Sequence, residues 1–380
     1  MSHSTAFIDA IDTIPSEQWD ALFPASEPFT QHAFLHSLAS SGATTARSGW
    51  QPHHFCVWQG EQLIAAVPLY QKTHSYGEYL FDWPFAEAHQ RYQQPYYPKW
   101  LGAIPFTPAT GQRFGIHPQA PQWLTVEWLL QTVADKAQQA GIQHLQILYP
   151  LATEAVQAPE PWLTRYDLQF HWYNRGYQDF EQFLAALKSR KRKIVRKERQ
   201  QVAQLPLSIE EYSGDQLTAA QIRRCFAFYR DTYTKRSGHL GYLTEQTFEQ
   251  WFTRLGQSIV VVAASDANGW VAAAIFFRSE TTLYGRYWGC LEDYDKLHFE
   301  LCYYRGIDYC IRHQLQRFDA GAQGEHKRLR GFEVTRCYGL YHVEASALAA
   351  AISDYCQTER QQIDALAQEF IAQSPYLAEP

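Results

Sequence analysis

The chain has 380 residues, of which 46% are hydrophobic and 19% are charged, so a packed core is expected and general disorder is excluded. The length is ordinary for two domains. The net charge of −6 resides in residues 1–175, which hold 8 Lys and Arg against 14 Asp and Glu, whereas residues 176–380 hold 25 of each. This balance does not indicate a nucleic-acid-binding protein as a whole.

The sequence carries no sign of a membrane or secretory protein. It contains no run of 18 apolar residues, and its N-terminus lacks a basic segment followed by an apolar one. We therefore expect no membrane insertion and a cytoplasmic location. The seven cysteines are scattered, odd in number and without a CxxC pair, which favours reduced, buried thiols over disulfides or a zinc site.

The first half begins with a predicted strand at 6–11 and helices at 16–23 and 29–41. Two apolar runs, 54–59 and 62–69, are separated by Gly60-Glu61 and predict a β-hairpin. Residues 74–118 are aromatic and rich in Pro and Gly without a clear period, which indicates a functional loop or an insertion. A helix at 122–140 before Gly141, and strands at 144–149 and 165–173, complete this half.

The second half is predicted to begin near residue 176. Its pattern predicts a helix over 180–203, a strand over 205–212 and helices over 219–234 and 244–255. Three consecutive strands follow at 258–265, 270–278 and 282–289, the first two joined at Asn268-Gly269. The remaining elements are a helix at 298–313, a strand at 317–320, a short helix at 325–330, a strand at 332–343 and a long helix at 346–373.

Several long segments carry a family resemblance. In the second half they are FYRDTYTKRSGHLGYLT (228–244), LYGRYWGCLEDYDKLHFELCYYRGIDYCI (283–311) and FDAGAQGEHKRLRGF (318–332). In the first half they are FDWPFAEAHQRYQQPYYPKW (81–100) and PFTPATGQRF (105–114). Through these segments the sequence resembles the FemAB-like family, also described as a peptidoglycan biosynthesis/recognition or predicted N-acyltransferase family of the GNAT superfamily.

The resemblance implies an α/β (α+β) fold with tandem GNAT-like domains, residues 1–175 and 176–380, and mixed, largely antiparallel sheets. The order of elements, which is similar in the two halves, agrees with this expectation. The implied reaction moves an acyl or aminoacyl group to an amine acceptor such as a peptidoglycan precursor. Acyl-CoA or aminoacyl-tRNA would be the co-substrate, with no tightly bound cofactor. The alternative is a GNAT-fold protein without turnover that recognises cell-wall fragments or RNA.

The sequence lacks several motifs that mark particular donors and classes of enzyme. Acetyl-CoA-dependent GNATs usually carry Arg/Gln-x-x-Gly-x-Gly/Ala as a pyrophosphate-binding loop, and no convincing copy is present. This absence counts against acyl-CoA and for aminoacyl-tRNA, but both donors, and a protein without catalysis, stay open at this point. Motifs of serine hydrolases, P-loop proteins, dinucleotide-binding proteins and zinc proteases are also missing, so those classes receive no support.

Residues 319–330 form the first candidate site, because a strand ends there, glycines follow and a helix starts. Gly321 and Gly324 allow close approach of the backbone, whose N–H groups can bind a phosphate or an oxyanion. Asp319 and Glu325 are candidates for the base that deprotonates or orients the amine. Lys327 would add a donor for the substrate. The alternative is a glycine-containing connection with solvated charges.

Residues 284–300 form the second candidate site. Arg286 and Trp288 are two apart on a predicted strand, so they share a face and are assigned to donor binding. Glu300 is a candidate for orienting the amine, and His298 is either a structural histidine or a base. A metal site from His298, Glu300 and His326 lacks an established ligand spacing, and no metal is predicted.

Two further segments are candidates for binding. In residues 81–100, the side chains that suit stacking and the binding of phosphate or carboxylate are Asp82, Trp83, Arg91, Tyr96, Tyr97 and Lys99. We assign them to the acceptor; the alternative is a surface loop held by its own aromatic rings.

The other segment is basic. Residues 188–199 carry eight basic side chains and one acid, and on a helix Lys188, Arg192, Arg196 and Arg199 share a face. The resemblance implies contact with tRNA or another polyanion; the alternative is a solvated helix face.

Overall fold

The computed structural model describes residues 3–24, 27–322, 324–344 and 348–377. Packing divides the chain into two compact units: Met1–Leu168 with Arg336–Leu366, and Gln169–Thr335 with Ala367–Pro380. The chain first passes from one unit to the other after Leu168, close to the predicted boundary at residue 176. Residues 336–366, which the sequence analysis placed in the second domain, group instead with the first unit.

The described residues form fifteen strands. They are β1 (His3–Ile8), β2 (Trp50–Pro52), β3 (His54–Gln59), β4 (Gln62–Val67), β5 (Leu69–Lys72), β6 (Lys99–Gly102), β7 (Gly115–Ile116), β8 (His144–Leu148), β9 (Leu163–Tyr173), β10 (Ser208–Ser213), β11 (Ile259–Asp266), β12 (Gly269–Arg278), β13 (Thr282–Cys290), β14 (Arg317–Asp319) and β15 (Glu333–Val343).

The helices of the described residues are α1 (Ser16–Asp20), α2 (His32–Ser40), α3 (Trp83–Arg91), α4 (Val126–Gln139), α5 (Ala152–Ala155), α6 (Phe180–Ala186), α7 (Ser189–Ala203), α8 (Ala219–Ser237), α9 (Glu245–Leu255), α10 (Leu297–Phe299), α11 (Arg305–Arg312) and α12 (Ala349–Ala372). A π-helical turn, Glu300–Tyr304, joins α10 to α11. A 3₁₀ helix, Glu325–Arg330, follows β14. The predicted start of the last helix at residue 346 lies outside the described residues.

The first unit contains antiparallel pairs and one parallel pair. Strands β1, β3, β4 and β7 form a small antiparallel sheet, and the C-terminal half of β15 pairs with β8. Strand β6 runs parallel to β8, and α4 supplies the crossover that a parallel pair needs. Thr125 caps α4, whose apolar side chains Leu129 and Val133 are buried in one core with Leu145 and Ile147 of β8.

The second unit has the same kind of connection. Strands β10 to β13 form an antiparallel meander, followed by β14, which is parallel to β13 and antiparallel to the end of β9. The crossover between β13 and β14 is the continuous helix 297–312. Helix α8 begins at the capping box of Thr218 and Gln221 and ends at Gly238, which has a left-handed φ of +70°.

Two predictions about elements need correction. Residues 74–118 were predicted as an irregular loop, but they contain α3, β6 and β7. The predicted helix over 180–203 is broken between α6 and α7. Leu187 is fully buried in an extended conformation and forms an isolated β-bridge with Tyr376. This contact with a distant segment of the chain ends α6, and no local pattern announces it.

Candidate functional site

The parallel strands β13 and β14 pair only over a short stretch. Their register ends at Tyr284 opposite Asp319, and β13 continues beyond this point. Against β12 the register of β13 shifts by one residue, so that Arg286 is the extra residue of a β-bulge. The chain after β14 lies close to β13, because a Cβ on Gly321 would be 3.2 Å from the carbonyl oxygen of Gly285. The strand pairing of β13 with β14 ends at this point, which we call the separation of the two strands.

Four ring-bearing side chains contact one another beside this separation. The ring of Trp288 on β13 lies 5.2 Å from that of His298, and the latter lies 5.3 Å from the ring of Tyr303. The hydroxyl of Tyr303 is 2.9 Å from Nε2 of His326, at hydrogen-bonding distance. Tyr303 belongs to the π-helical turn, a local structure that is frequent at functional sites. We call Trp288, His298, Tyr303 and His326 the site cluster.

Both imidazoles of the site cluster are neutral at pH 7. Burial lowers the pKa of His298 to about 3, and the positive charge of Arg236 acts in the same direction. The side chain of His326 is exposed, and its pKa is also lowered, first by partial desolvation and then by the charges of Arg330 and Lys327. Burial raises the pKa of Tyr303, so its hydroxyl stays protonated. The cluster therefore offers neutral groups that can accept or donate a proton.

Two buried charged side chains, Asp319 and Lys327, lie at the end of β14. Asp319 is 2% exposed, accepts the N–H of Gly321 at 2.8 Å and lies 3.6 Å from Nε2 of His171. Lys327, also 2% exposed, donates from Nζ to the carbonyl oxygen of Gly321 at 2.5 Å. Burial lowers the pKa of Lys327 to about 8, while Asp319 opposes the shift, so the lysine is mostly charged at neutral pH. Asp319 and Lys327 together hold the turn at Gly321.

The structure thus brings together five predicted residues, Trp288, His298, Asp319, Gly321 and Lys327, in one part of the second unit. Four predicted residues of these two motifs remain. Glu300 is described below, and the other three lie around the five. Gly324 has a φ of +101°, Glu325 is exposed, and the half-buried Arg286 lies over the ring of Tyr287.

Glu300 is already bound by two arginines. Its carboxylate is buried and accepts hydrogen bonds from Arg199 at 3.2 Å and from Arg305 at 2.9 Å. This pairing leaves it poorly suited to orient a substrate amine. Across the described ranges, no group of three His, Cys, Asp or Glu side chains is arranged to hold a metal ion.

The predicted basic surface is only partly free for a polyanion. Arg199 binds Glu300 and Asp308, and Arg196 forms an exposed ion pair with Glu181. The Nζ of Lys188 donates to the carbonyl oxygen of Ser374 at 2.7 Å. Arg192 is half-buried, and the side chains on the outer side of α7 that remain exposed are Arg190, Lys193, Arg196 and Lys197.

In the first unit, three of the predicted acceptor residues are interior. Asp82, Tyr96 and Lys99 are at most 6% exposed, and the Asp82 carboxylate accepts hydrogen bonds from both Tyr96 and Lys99. The hydroxyl of Tyr97 reaches this group through Ser75, at 2.7 Å. A substrate cannot contact the interior three without displacing their partners.

The other two residues from this segment lie elsewhere. Trp83 is half-buried against the rings of Tyr76 and Phe81, and Arg91 is exposed. Acceptor binding by Trp83, Arg91 and Tyr97 stays a prediction.

In the first unit, the position that corresponds to the site of the second unit is filled by the chain itself. There β6 and β8 form the parallel pair, and residues 103–107, which follow β6, are buried. Arg113 is 2% exposed and donates to the carbonyl oxygens of Leu148 at 2.9 Å and Ala109 at 2.6 Å. The chain's own backbone therefore occupies the donors of Arg113, which favours the second unit as the place of chemistry.

Sequence reasoning did not assign a role to Tyr303 or His171. Tyr303 lies inside the quoted segment 283–311, but its contact with His326 joins residues 23 apart in the chain. His171 comes from β9 and meets Asp319 through strand pairing, with His171 directly opposite Asp319. Only the three-dimensional fold brings these pairs together.

Comparisons with known proteins agree with this architecture. The crystal structure of FemX matches with a TM-score of 0.54 and 10% identity, covering 93% of this chain and 100% of that one. The C-terminal domain of a candidate lysylphosphatidylglycerol synthetase from Agrobacterium fabrum matches with a TM-score of 0.51 and 10% identity, over 90% of this chain and 95% of that one. A tandem GNAT protein from the clavulanic acid biosynthesis pathway is matched at a TM-score of 0.42 and 10% identity, over 91% and 100%. At such identities the similarity concerns the fold.

No curated protein matches the sequence at a significant level. Among the described helices, none is both long and apolar enough to cross a membrane. The model of the FemAB-like family, described as peptidoglycan biosynthesis/recognition, matches residues 10–378. The predicted α/β fold class with mixed, largely antiparallel sheets is confirmed, and the chain belongs to the FemAB-like peptidoglycan biosynthesis/recognition family.

Proposed function

We propose that the protein is an N-acyltransferase that moves an acyl or aminoacyl group to an amine acceptor at the site cluster. Family membership and the shared fold support an acyl- or aminoacyltransferase in general. The observation that carries the specific proposal is the neutral His326, hydrogen-bonded to Tyr303 beside the separation of β13 and β14. An amine nucleophile needs such a proton acceptor, because its protonated form cannot attack.

The reaction would proceed as follows. The neutral amine attacks the donor carbonyl, the new C–N bond forms, and the ester or thioester bond to the donor breaks. One proton leaves the amine for His326, and the pair of His326 and Tyr303 returns one to the leaving oxygen or sulfur. The positive charge of Lys327 stabilises the negative charge that develops on the carbonyl oxygen and keeps His326 neutral beforehand.

Aminoacyl-tRNA is the donor that the charges favour. A diphosphate such as that of CoA is commonly bound at a helix N-terminus by N–H groups and cations. Here the turn that leads from β13 into α10 carries three acidic side chains, Glu292, Asp293 and Asp295. The exposed basic side chains of α7 offer a polyanion a better surface. The description of the family supports an amine of a peptidoglycan precursor as acceptor.

The donor is tested by binding of bulk tRNA to the purified protein over a salt series, with CoA as competitor. We expect micromolar binding that weakens steeply with salt and does not respond to CoA. Replacing Lys193 and Lys197 with Gln should reduce the salt slope. No binding of tRNA together with a clear response to CoA would make acyl-CoA the donor.

The chemistry is tested by transfer from aminoacylated bulk tRNA to a precursor peptide with a free amine. The variant His326→Gln should lower kcat by roughly 10²-fold or more. In the wild type, kcat should be maintained from pH 7 down to the ordinary titration range of histidine and fall only below it, because the pKa of His326 is lowered and its imidazole becomes protonated only there. Glu325→Gln, next to it on the same short helix, is the matched comparison. Full activity of His326→Gln with loss in Glu325→Gln would move the base to Glu325; binding without any product would indicate the non-catalytic alternative.

A further inference from the structure

Two consecutive residues of α7 point into the second unit and bind different segments. Glu198 is 7% exposed, and its carboxylate accepts from Arg330 at 2.6 and 3.1 Å and from the hydroxyl of Tyr304. Arg199 donates to Glu300 at 3.2 Å and to Asp308 at 2.8 Å. Glu198 thus holds the 3₁₀ helix Glu325–Arg330 through Arg330 and the helix 297–312 through Tyr304, while Arg199 holds only the helix 297–312.

These two segments carry the reactive groups of the site cluster. His326 lies on the 3₁₀ helix, and His298 and Tyr303 lie on the helix 297–312. The hydrogen bond of Tyr303 with His326 is one contact between the segments, and Arg330 makes others with Tyr304 and Phe299. The length of this bond depends on where each segment is held, and both are held from α7.

Arg330 connects Glu198 to His326 directly. One face of its guanidinium lies over the ring of Phe299 at 3.5 Å, and its Nη1 donates to the carbonyl oxygen of His326 at 2.8 Å. The remaining donors form the two-point contact with Glu198, which fixes the plane of the guanidinium as well as its position. A shift of Glu198 is therefore transmitted to the backbone of His326.

We propose that Glu198 and Arg199 are positioning residues, through which α7 sets the distance between His326 and Tyr303 and hence the geometry of proton transfer. The inference rests on the proposed function for its kinetic consequence, but not for the positioning itself. It is independent of the identity of the donor. It also gives α7 two roles, since the outer side of the same helix carries the exposed basic residues.

Charge-preserving variants test the proposal, because removing one charge of a buried pair would destabilise the fold. Glu198→Asp withdraws the carboxylate by one methylene, and Arg330→Lys keeps the charge but loses the two-point contact. Glu181→Asp is the matched control, since it makes the same change in the exposed pair with Arg196 on the same helix. Each protein is studied below its melting temperature.

The main readout is the imidazole NMR signal of His326 in ¹³C-histidine-labelled full-length protein, assigned with His326→Gln. Charged or titratable groups that act on this ring are Arg330 and Lys327 on its own segment, Arg236 on α8, Glu198 on α7, and its partner Tyr303. The charges of all five are kept in the two test variants. A moved signal therefore reports geometry rather than lost charge.

We expect Glu198→Asp and Arg330→Lys to shift the His326 signals and to lower kcat by roughly tenfold or more, with KM changed less than twofold. Glu181→Asp should change neither. Wild-type signals and kcat in both test variants, whatever their melting temperatures, would overturn the positioning role and leave the proposed function standing. Shifted signals with unchanged kcat would support positioning by α7 and overturn His326 as the base.

Discussion

Two lysines of the first unit are completely buried, and their surroundings differ. The Nζ of Lys99 donates to Glu78 at 2.8 Å, to Ser75 at 3.0 Å and to Asp82. The Nζ of Lys72 lies 3.4 Å from the carbonyl oxygen of Tyr76 and 3.7 Å from Glu78, too far for strong hydrogen bonds. The protein therefore compensates one buried ammonium group well and the other poorly.

The pKa values follow this difference. Burial lowers the pKa of Lys72 to about 7, although the charge of Glu78 opposes the shift. For Lys99 burial acts in the same direction, but Asp82 and Glu78 outweigh it and raise the pKa above its usual value. Asp82 is likewise held well below its usual pKa by Lys99, against the effect of burial. Lys99 is thus charged throughout the physiological range, and Lys72 is not.

We predict opposite outcomes for the two lysines when each is replaced by methionine. Lys99→Met leaves the buried Asp82 carboxylate without its cation and Glu78 with only the more distant Lys72, and it should cost about 3–5 kcal/mol of unfolding free energy. Lys72→Met removes a poorly compensated charge at similar volume, so its stability at pH 7 should equal or exceed that of the wild type. Urea unfolding of both variants measures the difference, and equal losses would contradict it.

The pH dependence gives a second test of Lys72. Its folded-state pKa of about 7 lies below the unfolded value, so between pH 7 and about 10 the unfolded chain binds more protons at this residue. The contribution of Lys72 to stability therefore rises with pH in this window. The advantage of Lys72→Met should be largest at or below pH 7 and shrink toward pH 10; an advantage that grows with pH would refute this assignment.

At the scale of elements, the sequence predicts those strands and helices whose formation depends on neighbouring residues in the chain. The hairpin of β3 and β4, the meander β11 to β13 and helix α4 follow from apolar periodicity, turn residues and caps. The end of α6 at Leu187 was not predictable, since it depends on a bridge to Tyr376 near the other end of the chain. Strand β2, of three residues, is too short to give a pattern.

The candidate site was predictable to a similar extent. Residue types within two separate motifs indicated the region around His298, Asp319 and Lys327. They could not indicate that Glu300 is neutralised by Arg199 from a helix about 100 residues earlier, or that Asp82 is buried with Lys99. Whether a charged side chain is free for substrate depends on its partners, and those partners come from other elements.

The packing of α8 on β13 offers a test at this scale. A Cβ added at Gly289 would lie 2.2 Å from the carbonyl oxygen of Phe228, which is rigid helix backbone. Gly289→Ala should therefore displace α8 and cost about 1–3 kcal/mol. Gly285→Ala, on the same strand, is the control: its Cβ would lie 3.4 Å from Ala320, an ordinary contact, and stability should stay within about 1 kcal/mol. Similar melting temperatures for the two variants would show that α8 does not pack tightly at Gly289.

At the scale of the whole molecule, the chain crosses between its two units within β9, within β15 and within α12. A linear sequence suggests consecutive domains, and nothing in its composition marks residues 336–366 as part of the first unit. The structure assigns them there through strand pairing of β15 with β8 and through the ion pair of Glu359 on α12 with Arg165. The first unit is therefore completed only after most of the second has been synthesised.

Because residues 336–366 belong to the first unit, we predict that a residue of α12 stabilises that unit. Glu359 of α12 accepts two hydrogen bonds of 2.7 Å from Arg165, whose side chain is 4% exposed. Glu359→Gln weakens this contact with a buried guanidinium and should cost about 2–3 kcal/mol. Asp364→Asn is the control on the same helix, because its pair with Arg336 is more than one-third exposed and should contribute less than about 1 kcal/mol.

Amide hydrogen exchange of the full chain locates the effect of Glu359→Gln. Faster exchange should appear in β6 and β8, which belong to the first unit, while β11 and β12 of the second unit keep the protection they have in the wild type. Loss of protection in β11 and β12 alone would contradict the assignment of residues 336–366 to the first unit. Unchanged exchange and unchanged stability would show that the pair of Arg165 and Glu359 does not hold α12 in place.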